Sequence, residues 1–137
     1  MKISEIPIPM TGFKVDIVIG GSKDDYSMLQ QKRYGFSKEE ADDSSENECC
    51  TMRSGKDSEL KGEIRFLLKL KVMPKRNLPV FIHELWHLMW HISGVITDFK
   101  LNKETQTWAA NMFESLFEGV MGAEYREYTE SNNIKTS

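Results

Sequence analysis

The chain has 137 residues, 39% of them apolar and 28% charged, and its 18 basic and 21 acidic side chains give a formal net charge of −3. A chain of this length makes one domain around one core, burying about two-thirds of the surface its unfolded form exposes, with no need of disulfide or metal staples. That excludes a multidomain enzyme, and the near-neutral balance excludes a surface basic throughout, so any polyanion would have to bind locally.

The first dozen residues carry no apolar run of the signal-peptide kind, and no run anywhere reaches the roughly 18 apolar residues that span a bilayer. The chain therefore reads as soluble and cytoplasmic. Residues 13–19 alternate Phe13, Val15, Ile17 and Ile19 against Lys14, Asp16 and Val18, the pattern of a strand with one apolar face. Gly20 and Gly21 end it, and Ser22 caps a helix whose first turn carries Asp24 and Asp25 and which stops at Gly35. Residues 38–48 hold six acids against Lys38 without apolar periodicity, which predicts a solvated acidic loop. The two cysteines, Cys49 and Cys50, are neighbours and cannot easily reach disulfide geometry, so they read as reduced thiols in a second strand over 48–53.

The clearest strand is 62–72, with Ile64, Phe66, Leu68, Leu70 and Val72 on one side and Arg65, Leu67, Lys69 and Lys71 on the other. Its basic outer face predicts an edge strand guarded against self-association. Pro74, Asn77 and Pro79 then mark a new helix over about 78–93, with Gly94 as its left-handed stop. That helix is apolar nearly all round, so it is expected at the buried centre of the domain. A final helix over 103–121 presents Trp108, Met112, Leu116 and Phe117 to the core, and the tail from Ala123 to residue 137 is polar. The expected fold is α+β: a small antiparallel or mixed sheet of about three strands on the central helix, flanked by N- and C-terminal helices, in one domain over 1–122.

All three histidines, His83, His87 and His91, fall within nine residues of that central helix. His83-Glu84-Leu85-Trp86-His87 is an HExxH sequence. Histidines at i and i+4 lie one turn apart on one face, so both imidazoles can reach one Zn²⁺ at roughly 2.0–2.1 Å. Glu84 leans toward a water beside the metal and can serve as general base, and the metal lowers that water's pKa toward about 7. The bland alternatives are histidines that merely pack or cap, and a closed structural zinc site using Cys49 or Cys50. A catalytic zinc needs a third protein ligand and an open position; Glu104 ranks first, His91 second and Glu114 third. The metzincin spacing is absent, because position 90 is Trp and position 93 is Ser.

The order strand, helix, charged segment, GEIRFLLKL strand, LPVFIHELWHLMWHISGV and NKETQTWAANMFESLF resembles small zinc metallopeptidases encoded by bacteriophages and prophages, which are similar to minimal gluzincins. The resemblance covers about residues 12–120 and is specific at His83, Glu84, His87 and Glu104, with Trp108 as the aromatic residue four positions after Glu104. It implies a minimal zincin-like fold, a Zn²⁺ held by His83, His87 and Glu104, and Glu84 as the catalytic residue. It assigns no role to Trp86, Trp90 or His91 and no substrate.

The leading expectation is zinc-dependent hydrolysis of peptide or amide bonds, with a peptide or protein substrate laid along the 62–72 strand and acidic side chains preferred by its basic face. His91 is a candidate accessory group for the oxyanion. The rival is a non-catalytic virion or host-interaction protein that keeps the fold, in which case the place of action is the virion or the host cytoplasm. Residues 53–76 hold eight basic and three acidic residues, but Phe66 is their only aromatic residue, which disfavours nucleic acid.

Overall fold

The computed structural model of the chain describes residues 1–9, 11–44, 49–95 and 102–128. Strand β1 (Lys2–Pro7) turns back through a tight loop, where the Ile8 N–H donates to the Phe13 carbonyl at 2.9 Å, into the antiparallel strand β2 (Lys14–Ile19). The prolines at 7 and 9 hide β1 in the sequence, since proline cannot donate to a ladder; Pro7 is tolerated because β5 pairs only with Lys2 and Ile3, which among the described residues leaves β1 unpaired at position 7 on the side away from β2. Helix α1 (Lys23–Tyr34) follows with the expected ends. Ser22 Oγ accepts the Asp25 N–H at 3.2 Å, Asp25 Oδ2 accepts the Ser22 N–H at 2.8 Å, and Gly35 closes the helix at φ 76°.

The acidic segment is helical rather than looped over its described part: α2 (Lys38–Ser44) begins on Ser37, whose Oγ accepts the Glu40 N–H. Ala41 is buried, and Asp42 and Ser44 bond Ser27 and Gln30 of α1. A single buried alanine leaves no apolar period to read, which is why composition pointed to a loop; residues 45–48 of that expectation lie outside the described residues.

Strand β3 (Cys49–Arg53) and strand β4 (Ile64–Leu70) pair antiparallel, and β4 runs parallel to β2. A two-residue strand, β5 (Arg126–Glu127), joins β1, so the first residues of the polar tail are part of the sheet. The fold is α+β, with a mixed sheet in the order β3-β4-β2-β1-β5: four full strands and the short fifth, where about three were expected. The edge assignment is corrected: β4 is hydrogen-bonded on both sides, and β3 and β5 form the borders. Its basic face does not meet solvent either. The crossover from β2 lays α1 across that face, where Arg65 Nη1 reaches Asp16 Oδ1 at 2.7 Å and the Lys69 ammonium stands 4.3 Å from the centre of the Tyr26 ring.

After a 3-10 turn (Pro74–Arg76), helix α3 (Leu78–Val95) and helix α4 (Gln106–Gly122) cover the other face. Phe66, Leu68, Val15 and Ile17 of the sheet meet Phe81, Leu85, Leu88 and Ile92 of α3 and Met112 and Leu116 of α4. The smaller cluster of Ile3, Val18, Leu67, Leu29 and Tyr34 lies under α1. Gly94 is inside α3 instead of ending it, and α4 opens at Gln106, with residues 103–105 in a turn. No helix among the described residues is long and apolar enough to cross a membrane.

Helix α3 is not surrounded. It buries Phe81, Glu84, Leu85, Leu88, Met89 and Ile92, while Leu78, Val80, Ile82, Trp86 and Trp90 are exposed. The reason is layering: α1 packs on the opposite face of the sheet, so among the described residues no third layer covers α3, and a helix laid on a sheet buries one side only.

Candidate functional site

Asn77 starts α3 by accepting the Val80 N–H on its Oδ1 at 3.3 Å, and the unbroken helix then sets residues four apart over one another. His83 and His87 both fall on the exposed side. Their Nε2 atoms are 3.1 Å apart, with ring centroids at 4.7 Å and planes at 74°. Two nitrogens bound at roughly 2.0–2.1 Å to a tetrahedral zinc stand about 3.3 Å apart, so the pair fits two corners of such an ion with little adjustment. At 3.1 Å the two ring nitrogens are within hydrogen-bond distance of each other, and a cation bound by both imidazoles would replace that contact.

Glu84 lies at the flank of the pair with 5% of its surface exposed, at the border between the solvent side of α3 and the side packed on the sheet. A carboxylate so placed is screened from bulk water, and it follows His83 directly in the helix.

His91 takes a different direction. Its Nδ1 is 3.4 Å from Thr51 Oγ1, so the ring is turned toward β3. Burial, and next the charge of His87, push its pKa below the ordinary histidine value. Thr51 is the residue that reading the sequence missed here; its position in the strand over 48–53 was legible, but nothing in the spacing linked it to position 91.

Glu104 stands exposed in the turn before α4, where Asn102 Oδ1 accepts the backbone N–H groups of Glu104 at 2.8 Å and Thr105 at 3.0 Å. Glu114 is exposed on α4. Phe81 and Phe117, with centroids 5.4 Å apart, set the first half of α3 against the second half of α4. Among the described residues no group of three His, Cys, Asp or Glu side chains is gathered at metal-binding spacing. His83 and His87 are thus brought together, Glu84 is buried at the next position of the helix, and Glu104 and Glu114 are not gathered to the pair. Cys49 and Cys50 lie in β3 by their backbone, and their side chains are outside the described residues.

The exposed side of α3 carries a second feature. Leu78, Ile82, Trp86 and Trp90 repeat every four residues, and Trp86 and Trp90 keep 55% and 75% of their surface exposed. At 100° per residue Trp86 lies about 60° around the helix from His83, and Trp90 about 60° from His87. No protein-family model matches the chain, and no curated protein or solved structure is significantly similar to it.

Proposed function

We propose that the chain is a zinc-dependent hydrolase of peptide or amide bonds, of the minimal gluzincin-like type carried by phages, with His83 and His87 as metal ligands, Glu104 as the third ligand and Glu84 as general base. The observation that carries the reading is the 3.1 Å approach of the two Nε2 atoms beside a buried glutamate. A zinc ion held there would polarise the scissile carbonyl and acidify water. Glu84 takes the proton of the attacking water and passes it to the leaving nitrogen as the C–N bond breaks. An extended substrate adds along the outer border of β3, the strand that His91 touches, and Lys71, Lys75 and Arg76, exposed just before α3, favour acidic side chains.

The test is metal analysis of purified protein followed by Glu84→Gln. Zinc retained in the variant, with cleavage of a diverse peptide pool reduced at least about a hundredfold, supports the hydrolase. Stoichiometric zinc with no cleavage by the parent protein at a concentration where it sediments as a monomer, or cleavage unaffected by Glu84→Gln, rejects it. The exposed ridge of Trp86 and Trp90 favours a second reading, a non-catalytic virion or host-interaction protein acting through that surface.

A further inference from the structure

We infer that two copies of this chain pair through their α3 helices and share one zinc ion, each supplying His83 and His87. The inference rests on the zinc reading of the histidine pair and goes beyond it, to what fills the remaining positions. Two imidazoles meet half the requirement of a tetrahedral ion, and among the described residues no third ligand is gathered to them. A second copy brings two more.

Three features of α3 select a copy of the same chain as the occupant. The first is charge. In a twofold contact a surface meets itself, so a charged patch repels its own image. Over the whole of α3 the only Asp, Glu, Lys or Arg is Glu84, which is buried, so the exposed side is neutral apart from its histidines.

The second is position. The histidine pair is centred on residue 85, about 2 Å along the axis from the middle of a helix that spans Leu78–Val95. An antiparallel pairing about a twofold axis through the metal therefore overlaps nearly the full length of both helices. A pair near either end would leave half of each helix uncovered.

The third is the apolar ridge. A twofold axis across two antiparallel helices keeps corresponding ridges on the same side of the contact. Trp86 then meets its own copy near the axis, and Ile82 lies close to Trp90 of the other chain. These side chains are otherwise left in water at 45%, 55% and 75% exposure for Ile82, Trp86 and Trp90. Their i, i+4 spacing is the ridge by which helices interlock.

The pairing has a chemical consequence. Four imidazoles leave no open position on the ion, so the paired form is closed to hydrolysis, and separation of the copies opens the site.

The experiment is a zinc titration of metal-free protein followed by sedimentation equilibrium, with and without a chelator. The inference expects a binding break at half an equivalent of zinc per chain, doubling of the mass at that point, and return to the monomer mass with chelator. Trp86→Lys, a change at a half-exposed position that places cations against each other at the axis, should lose the doubling while keeping the circular dichroism of the parent. One zinc per chain on a monomer overturns the pairing and leaves the hydrolase reading standing. No zinc bound at all overturns both. A dimer that forms equally without zinc and survives His83→Ala with His87→Ala is an apolar contact alone, and it also overturns the shared metal.

Discussion

The guanidinium of Arg33 grips both carboxylate oxygens of Asp16, Nε to Oδ2 at 2.9 Å and Nη2 to Oδ1 at 3.2 Å, and so ties α1 to the centre of the sheet. Arg65 reaches the same carboxylate, and the Tyr34 hydroxyl donates to it. Burial disfavours the charge on Arg33, but its hydrogen bond to Asp16 and the attraction of that carboxylate outweigh burial and hold its pKa above the usual arginine value. Removing Asp16 strands two guanidiniums that are 1% and 2% exposed, with the more exposed Glu5, Glu59 and Glu63 left among the described residues to answer them. Asp16→Ala is expected to cost about 3–5 kcal/mol in urea unfolding. Zinc binding should be untouched in the folded fraction, because the network lies on the α1 face. A loss below about 1 kcal/mol would mean the outer glutamates carry the network.

Gly35 is required twice over. Its φ of 76° belongs to the left-handed region, and a Cβ built there would come within 2.9 Å of the Ser58 Cβ. Ser58 cannot swing aside freely, since its N–H and hydroxyl both bond the Gly55 carbonyl. Gly62 supplies the control: φ is 88°, and nothing lies within 4 Å of its added Cβ. Gly62→Ala should cost about 1 kcal/mol, the conformational part alone. Gly35→Ala should cost clearly more, and equal melting shifts for the two would remove the steric argument.

Local chemistry was legible and layering was not. Ser22, Asp25 and Gly35 announced both ends of α1 because a cap is decided within a few residues, and Phe66, Leu68 and Leu70 announced β4 by alternation. The parity of Arg65 and Lys69 is legible too, but alternation alone predicts solvent on that side. What faces a strand depends on where the chain goes after it, and only the crossover shows α1 above those cations. The same gap explains α3: its composition is that of a helix covered on all sides, whereas the described residues cover one. HExxH gave the His83–His87 approach outright, since it is fixed by helical geometry. The relation of Glu104 to that pair depends on how α4 packs, which no spacing records.

His91 makes stability depend on pH in a definite direction. Its pKa is lowered in the folded chain, by burial first and by His87 second, so the unfolded chain binds the proton more readily. The stabilisation attached to neutral His91 is therefore complete above the unfolded value of about 6.5 and is lost as pH falls below it, through the folded pKa. In metal-free protein the urea midpoint should decline from pH 7.5 to pH 5, and His91→Gln should flatten the decline. An NMR titration placing His91 at or above the ordinary histidine value would contradict the account.

Glu104 and the second copy compete for the same positions on the metal, and that competition can be measured. In the paired form four imidazoles fill the sphere, so Glu104→Gln should leave the zinc affinity of the parent protein unchanged. In the Trp86→Lys background, where the copies are kept apart, the chain must complete the site itself. There Glu104→Gln should weaken zinc at least about tenfold in competition with a chromophoric chelator, while Glu114→Gln, at an exposed site on α4, should not. Glu104 stands exposed in the turn capped by Asn102, ahead of the first residue of α4. Equal affinity of the monomeric protein with Glu and with Gln at position 104 would remove that residue from the ligand set, and it would leave the two histidines with only a second copy, or solvent, to complete the ion.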